Sequence, residues 1–156
     1  MNNLQIRKAE AGDIDRMIDH RVDYLTEMQG KHTAGEVAKL KSEFREYFSQ
    51  NISNGKFLAL VAELDHVPVA YGAMVFRSVP GDFSQSVYTE ADILNMYTVP
   101  NARKQGISRL ILNELISIAR SMGVSKLALH TSADGEHLYR TSGFHEPQYP
   151  FLEMIL

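Results

Sequence analysis

A chain of 156 residues, 44% hydrophobic and 22% charged, has the size and balance of one domain with a sizeable core. Sixteen basic against nineteen acidic residues leave a net charge of −3, which excludes a nucleic-acid binder that works by bulk charge. The absence of cysteine excludes disulfides, thiolate metal ligands and a cysteine nucleophile.

The opening MNNLQIRKAEAGD has no apolar run of signal-peptide length, and no segment approaches the roughly 20 apolar residues of a membrane span. No membrane partner is expected, and the expected location is the cytoplasm. Leu4 to Ala9 reads as a first strand. Ile14, Met17, Ile18, Val22 and Leu25 then recur at helical spacing, which predicts a helix with one buried stripe. After the loop GKHTAGE, Val37, Leu40, Phe44, Phe48 and Ile52 mark a second helix, which Gly55 ends. FLALVAEL and VPVAYGAMVFRS are β-rich, with Asp65-His66 at the turn between them. SVPGDFSQS is a polar loop, and EADILNMYTV is a third long strand, broken at Pro100.

Beyond Pro100, Leu110, Ile111, Leu115, Ile118, Ala119 and Met122 define the buried face of a helix that Gly123 stops. KLALHT is a strand, ADGEHLYRTS a short helix closed by Gly143, and FHEP and FLEMIL supply the last strands. The order β-α-α-β-β-β-α-β-α-β-β predicts an α/β chain of the α+β kind. Three consecutive strands form a meander, and the later strand–helix–strand unit a parallel pair joined by a right-handed crossover. The result is a mixed, mostly antiparallel central sheet with helices on both faces. With no repeat or linker, residues 1–156 read as a single domain.

The chemistry-bearing stretch is NMYTVPNARKQGISRLILNELISIAR, residues 95–120. A helix N-terminus offers unpaired amides and partial positive charge, a glycine there permits close backbone approach, and Arg103 and Lys104 add cations. These features describe an anion site, most naturally for phosphate or pyrophosphate. The P-loop and the dinucleotide fingerprint are both missing.

Arg103-x-x-Gly106-x-Ser108 after a strand, followed by LYRTSGF from Leu138 to Phe144, resembles the core of the GNAT superfamily of acyl-CoA-dependent N-acetyltransferases. The family's pyrophosphate motif is Q/R-x-x-G-x-G/A. Ser108 departs from it at the last small residue, and Lys104 replaces a frequent glycine. LYRTSGF looks like the family's L-Y-x-x-x-G-F. The resemblance implies a GNAT-like fold with acetyl-CoA as co-substrate. The strand ending at Val99 would splay from the next at a bulge. The backbone of Met96, Tyr97 and Thr98 would pair with the pantetheine arm, and one of its amides would polarise the thioester carbonyl. The loop of Arg103, Lys104, Gln105, Gly106, Ile107 and Ser108 would hold the pyrophosphate. Ser132 would cap the last helix or bond the pantetheine arm.

Tyr139 is implied to protonate the departing CoA thiolate. A base is also needed, because an amine acceptor arrives mostly protonated. By the two-residue period Asp92, Leu94, Met96 and Thr98 share one face. Asp92 lies where some family members carry a catalytic carboxylate. Glu90 is the runner-up, and a relayed water is an alternative.

The six histidines show no ligand spacing, so no metal is expected. The acceptor pocket is expected between the N-terminal helices and their loops, which carry Asp19, Asp23, Tyr24, Glu27 and Asp82.

The function expected is N-acetyl transfer from acetyl-CoA to a primary amine of a small molecule by direct attack. A protein N-terminus or lysine is the alternative acceptor, and a non-catalytic acyl-CoA sensor is the alternative of another class. The apolar C-terminal PFLEMIL suits either an inner strand or the seam of a homodimer.

Overall fold

The structure is a computed structural model that describes residues 3–156. Strand β1 (Leu4–Lys8) leads through a single 3-10 turn at Ala11–Asp13 into helices α1 (Ile14–Gln29) and α2 (Ala34–Ser53). Strands β2 (Phe57–Leu64), β3 (Val67–Pro80) and β4 (Val87–Thr98) follow. After a second 3-10 turn, Pro100–Ala102, come α3 (Ile107–Ser121), β5 (Lys126–Ala128) and α4 (Ala133–Thr141). The elements start where local chemistry favours it. Thr33 Oγ1 accepts from the Glu36 amide while the Glu36 carboxylate takes the Thr33 amide, a reciprocal cap that opens α2. Asp65 and His66, both at positive φ, form the tight β2–β3 turn.

The five strands lie in chain order, antiparallel from β1 to β4, with β5 parallel to β4. One face buries Ile14, Met17 and Ile18 of α1 and Phe48 of α2 against Phe57, Val61, Tyr71 and Ala73. The other face packs Ile107, Ile111, Leu112 and Leu115 of α3, with Tyr139 of α4, against Leu60, Ala70, Met74, Ala91 and Ile93. The helices thus sandwich the sheet, as the element order predicts. A salt-bridge knot ties the N-terminal corner: Arg7 donates to both carboxylate oxygens of Asp13, at 2.8 and 2.9 Å, and to Glu63 at 2.6 Å.

Four details differ from the sequence reading. First, β4 does not keep one phase. Tyr71 faces Tyr97 and Ala73 faces Leu94, so Asn95 and Met96 together oppose Gly72. Asn95 takes φ 55° to make this bulge. The extra residue flips the alternation. Leu94 packs with the α1/α2 face and Met96 with the α3 face, so Asp92, Met96 and Thr98 do not share a side.

Second, pairing of β5 with β4 stops at Asp92 opposite Ala128. Leu129, His130 and Thr131 leave the sheet, because β4 turns away at the bulge. Third, residues 145–156 form no strand and are exposed. Pro147 and Pro150 carry no amide for a ladder, and β5 offers only three residues to pair with. Fourth, on α3, Leu110 and Met122 face solvent, and Ile107 and Leu112 take the core positions instead.

Candidate active site

The bulge and the early end of β5 create the site together. One edge of β4 is bonded to β3. Its other edge is paired only at Glu90, Ala91 and Asp92. Among the described residues no strand pairs with the edge from Ile93 to Thr98, which includes Met96, Tyr97 and Thr98, so that edge faces a gap. An extended chain entering that gap can add to the sheet as a further strand. Gly72 makes the bulge possible, since a Cβ there would lie 2.5 Å from both Met96 Sδ and Ile111 Cγ2.

The loop at the end of β4 is the expected anion site. Lys104 and Gly106 sit at φ 61° and 78°, and α3 begins at Ile107. Among the described residues no protein acceptor takes the amides of Lys104, Gln105, Gly106, Ile107 or Ser108. Five adjacent donors at a helix start, with its partial positive charge, form a cradle for phosphate oxygens. Nothing lies within 4 Å of a Cβ built on Gly106, so the loop is open above it.

Ser108 has a role of its own. Its Oγ lies 2.9 Å from Thr98 Oγ1 and joins the start of α3 to the end of β4. The Arg103 side chain turns to a brace: Nη2 binds both oxygens of Glu27 at 2.8 and 2.9 Å, and Nε donates to the Thr98 carbonyl. Its guanidinium also stacks over Tyr97. Glu27 accepts from the Tyr97 hydroxyl as well. Burial and this carboxylate push the Tyr97 phenol up to about 12.

Tyr139 is buried in α4, with its ring edge-on to Phe144 at 5.9 Å. Its hydroxyl has no hydrogen-bond partner among the described residues and keeps solvent contact. Burial raises its pKa above the ordinary phenol value, with a smaller contribution from nearby Tyr24. It therefore carries its proton at neutral pH. Ser132 takes the capping role, accepting from the Gly135 amide at 3.3 Å.

The carboxylates of β4 are engaged. Arg77 bridges Glu90 at 2.8 Å and Asp92 at 2.9 Å, and Lys126 adds a contact to Glu90 at 3.0 Å. The Arg77 hydrogen bond, with help from Lys126, holds Glu90 below the ordinary carboxylate range, which makes it a weak base. Of the expected acceptor-side groups, Asp19 pairs with Lys41 and Glu27 with Arg103. Asp82 caps its own loop through the Ser84 amide and the Tyr88 hydroxyl.

Two hollows border α1. An open groove of about 280 Å³ between α1 and α2 is lined by Val22, Leu25, His32, Val37 and Leu40. A small cavity of about 10 Å³ lies against the bulge and is lined by His20, Tyr24, Tyr71, Asn95 and Tyr97 among others. His20 was not marked by any motif. Its signal was positional, for it follows Met17 by three residues on the apolar stripe of α1. Among the described residues no group of three His, Asp or Glu side chains gathers as a metal site would need, and no helix is long and apolar enough to cross a membrane.

A family model described as "Acetyltransferase (GNAT) family" matches residues 16–144. A predicted acetyltransferase from Clostridium acetobutylicum, solved with acetyl-CoA, is similar at 25% identity and a TM-score of 0.84, covering 98% of this chain and 96% of that one. A GCN5-related N-acetyltransferase from Ralstonia eutropha shares the fold at 21% identity and a TM-score of 0.81, covering 97% and 99%. An aminoglycoside N-acetyltransferase in complex with CoA does so at 12% identity and 0.72, covering 99% and 96%. No curated protein matches the chain. With the family model spanning most of the sequence, the chain belongs to the GNAT family of acetyltransferases and is an acetyl-CoA-dependent acyltransferase.

Proposed function

We propose that this enzyme transfers the acetyl group of acetyl-CoA to a primary amine of a small molecule by direct attack. The observation that carries the reading is the unpaired edge of β4, which leads into the unpaired amides at 104–108. When bound, acetyl-CoA supplies an activated acetyl thioester. The amides of Lys104 to Ser108 hold its pyrophosphate, and Met96, Tyr97 and Thr98 align the pantetheine arm by backbone hydrogen bonds. A β4 amide beside the bulge, pre-set by Gly72 and Asn95, polarises the thioester carbonyl. Arg103 fixes the end of β4 against α1 through Glu27 and does not reach for the phosphates.

Tyr139, protonated and without a partner among the described residues, donates to the sulfur as negative charge develops there. Asp92 is the carboxylate proposed for the amine's proton. A base role for it requires the Arg77 ion pair at 2.9 Å to open. Direct transfer is favoured because the chain has no cysteine to carry the acetyl group.

The test is acetyl-CoA consumption measured against amines, polyamines, aminoglycosides and peptides. Turnover with one or more small amines supports the reading. Turnover with peptides alone moves the acceptor to protein. CoA binding with no turnover on any amine makes the chain a sensor.

A further inference from the structure

His20 is 7% exposed and Tyr71 3% exposed, yet among the described residues His20 Nδ1 and the Tyr71 hydroxyl have no hydrogen-bond partner. The Asn95 side-chain oxygen is buried and equally unpartnered. A buried polar atom left unpaired costs about 1–3 kcal/mol, so three around one hollow need a common explanation. All three residues line the cavity of about 10 Å³, which is about the room one water needs. The His20 ring meets Tyr71 edge-on at 5.1 Å and Tyr97 at 5.6 Å, so the rings wall the cavity. Asn95 is the bulge residue itself, next in sequence to Met96.

We propose that one water held between His20 Nδ1, Tyr71 Oη and Asn95 Oδ1 makes His20 the proton acceptor for the incoming amine. The inference rests on the acetyl-transfer reading above. The hydrogen bonding closes with the inventory of the groups. The water accepts from the Tyr71 hydroxyl and donates to the Asn95 oxygen and to neutral His20. Tyr71 keeps its proton, because burial raises its phenol well above the ordinary value.

Burial likewise lowers the pKa of His20, so the resting ring is neutral and its Nδ1 lone pair is free. The groups facing it are mixed in sign. Asp23 and Asp19 favour its charged form and Arg16 opposes it, all from its own helix. Arg21 and Tyr24 of α1 and Tyr97 of β4 line the same hollow. Glu27 stands behind Tyr97, occupied by Arg103.

The step balances as follows. The acceptor arrives as an ammonium ion and passes one proton through the water to His20, which later releases it to solvent. The freed nitrogen lone pair forms the C–N bond to the acetyl carbon. The C–S bond breaks, its electron pair stays on sulfur, and the second nitrogen proton ends there by way of Tyr139. The products are the N-acetylamine, CoA as the thiol, and one released proton. This assignment relieves Asp92 of the base role, in keeping with its ion pair to Arg77.

The test compares wild type, His20→Gln and Tyr71→Phe with the fastest amine from the acetyl-CoA screen, across pH. Wild-type kcat/KM should fall below an acidic limb set by His20. His20→Gln should lose that limb and be slower by about a hundredfold at pH 7, with the gap closing at high pH where the amine deprotonates unaided. Tyr71→Phe should keep the limb and lose part of the rate. CoA affinity by calorimetry should be unchanged in both, which also verifies folding. Ring nitrogen NMR on the wild type should show His20 neutral, with Nδ1 unprotonated. A retained acidic limb in His20→Gln, or a protonated His20 at pH 7, overturns the His20 assignment and leaves acetyl transfer standing. A wild type that turns over no amine overturns both.

Discussion

Gly72→Ala tests the packing that shapes the site. Its methyl would sit 2.5 Å from Met96 Sδ, 2.5 Å from Ile111 Cγ2 and 3.2 Å from Leu115 Cδ1. Carbon contacts are optimal near 3.5–4.0 Å, so two of the three overlap by about 1 Å. The Met96 sulfur lies near the end of a flexible side chain and can swing, but only by shifting a bulge residue on the strand edge proposed to hold CoA. Ile111 is branched at Cβ and fully buried, so it cannot rotate away freely. Overpacking of this kind costs about 1–3 kcal/mol. In a domain of this size each kcal/mol is about 2–4 °C, so the melting temperature should drop by about 2–12 °C. CoA affinity should fall with it, as Met96 is displaced into the gap. Gly35→Ala is the control. It lies in the first turn of α2 with nothing within 4 Å of a Cβ, and should gain up to about 1 kcal/mol. Thermal denaturation and calorimetry on the two variants decide the matter. A Gly72→Ala protein that melts and binds CoA like wild type would refute the close fit of β3, Met96 and α3.

Gly106→Asp places a negative charge and a side chain on a left-handed residue of the anion cradle. CoA affinity by calorimetry should weaken at least about tenfold, or 1.4 kcal/mol. Tyr139→Phe removes the unpartnered hydroxyl and keeps the ring against Phe144. The initial rate of acetyl transfer should fall by about a hundredfold or more while CoA binding persists. Asp13 has its pKa lowered chiefly by the Arg7 hydrogen bonds. Its folded pKa lies below its unfolded value near 3.9, so its stabilisation is present above about pH 4 and is lost as the pH falls through the folded value. Asp13→Asn should cost about 1–2 kcal/mol at pH 7 in urea unfolding, kept small by the 39% exposure of the Arg7 side chain, and should flatten the acid dependence of stability.

The parts of this protein that were legible in its sequence are those where period and punctuation agree. The stripe from Ile14 to Leu25, the Asp65-His66 turn and the Gly55, Gly123 and Gly143 stops all stand in the structure. The turn from Arg103 into α3 was legible because its chemistry is local: glycine at a left-handed position and a helix start.

What was hidden depends on pairing between distant residues. Asn95 is an ordinary strand-breaking asparagine in the sequence. Only opposite Gly72 does it become a bulge, and that bulge reverses the side on which Met96 and Thr98 lie relative to Asp92. The shortness of β5 follows from the same bend. Arg103 looked like a phosphate cation, but Glu27, 76 residues away, claims its guanidinium. His20 reads as one of six scattered histidines until Tyr71 and Asn95 close around it. The apolar tail misled differently, since residue type suggested strands while Pro147 and Pro150 interrupt the run that would pair.

The placement of CoA in the gap beside β4 is the claim on which the rest depends. Titration of CoA into ¹⁵N-labelled protein measures it residue by residue. The account predicts the largest amide shifts at Lys104 to Ser108 and at Met96 to Thr98. Shifts confined to other segments, with these eight amides unmoved at saturating CoA, would contradict it.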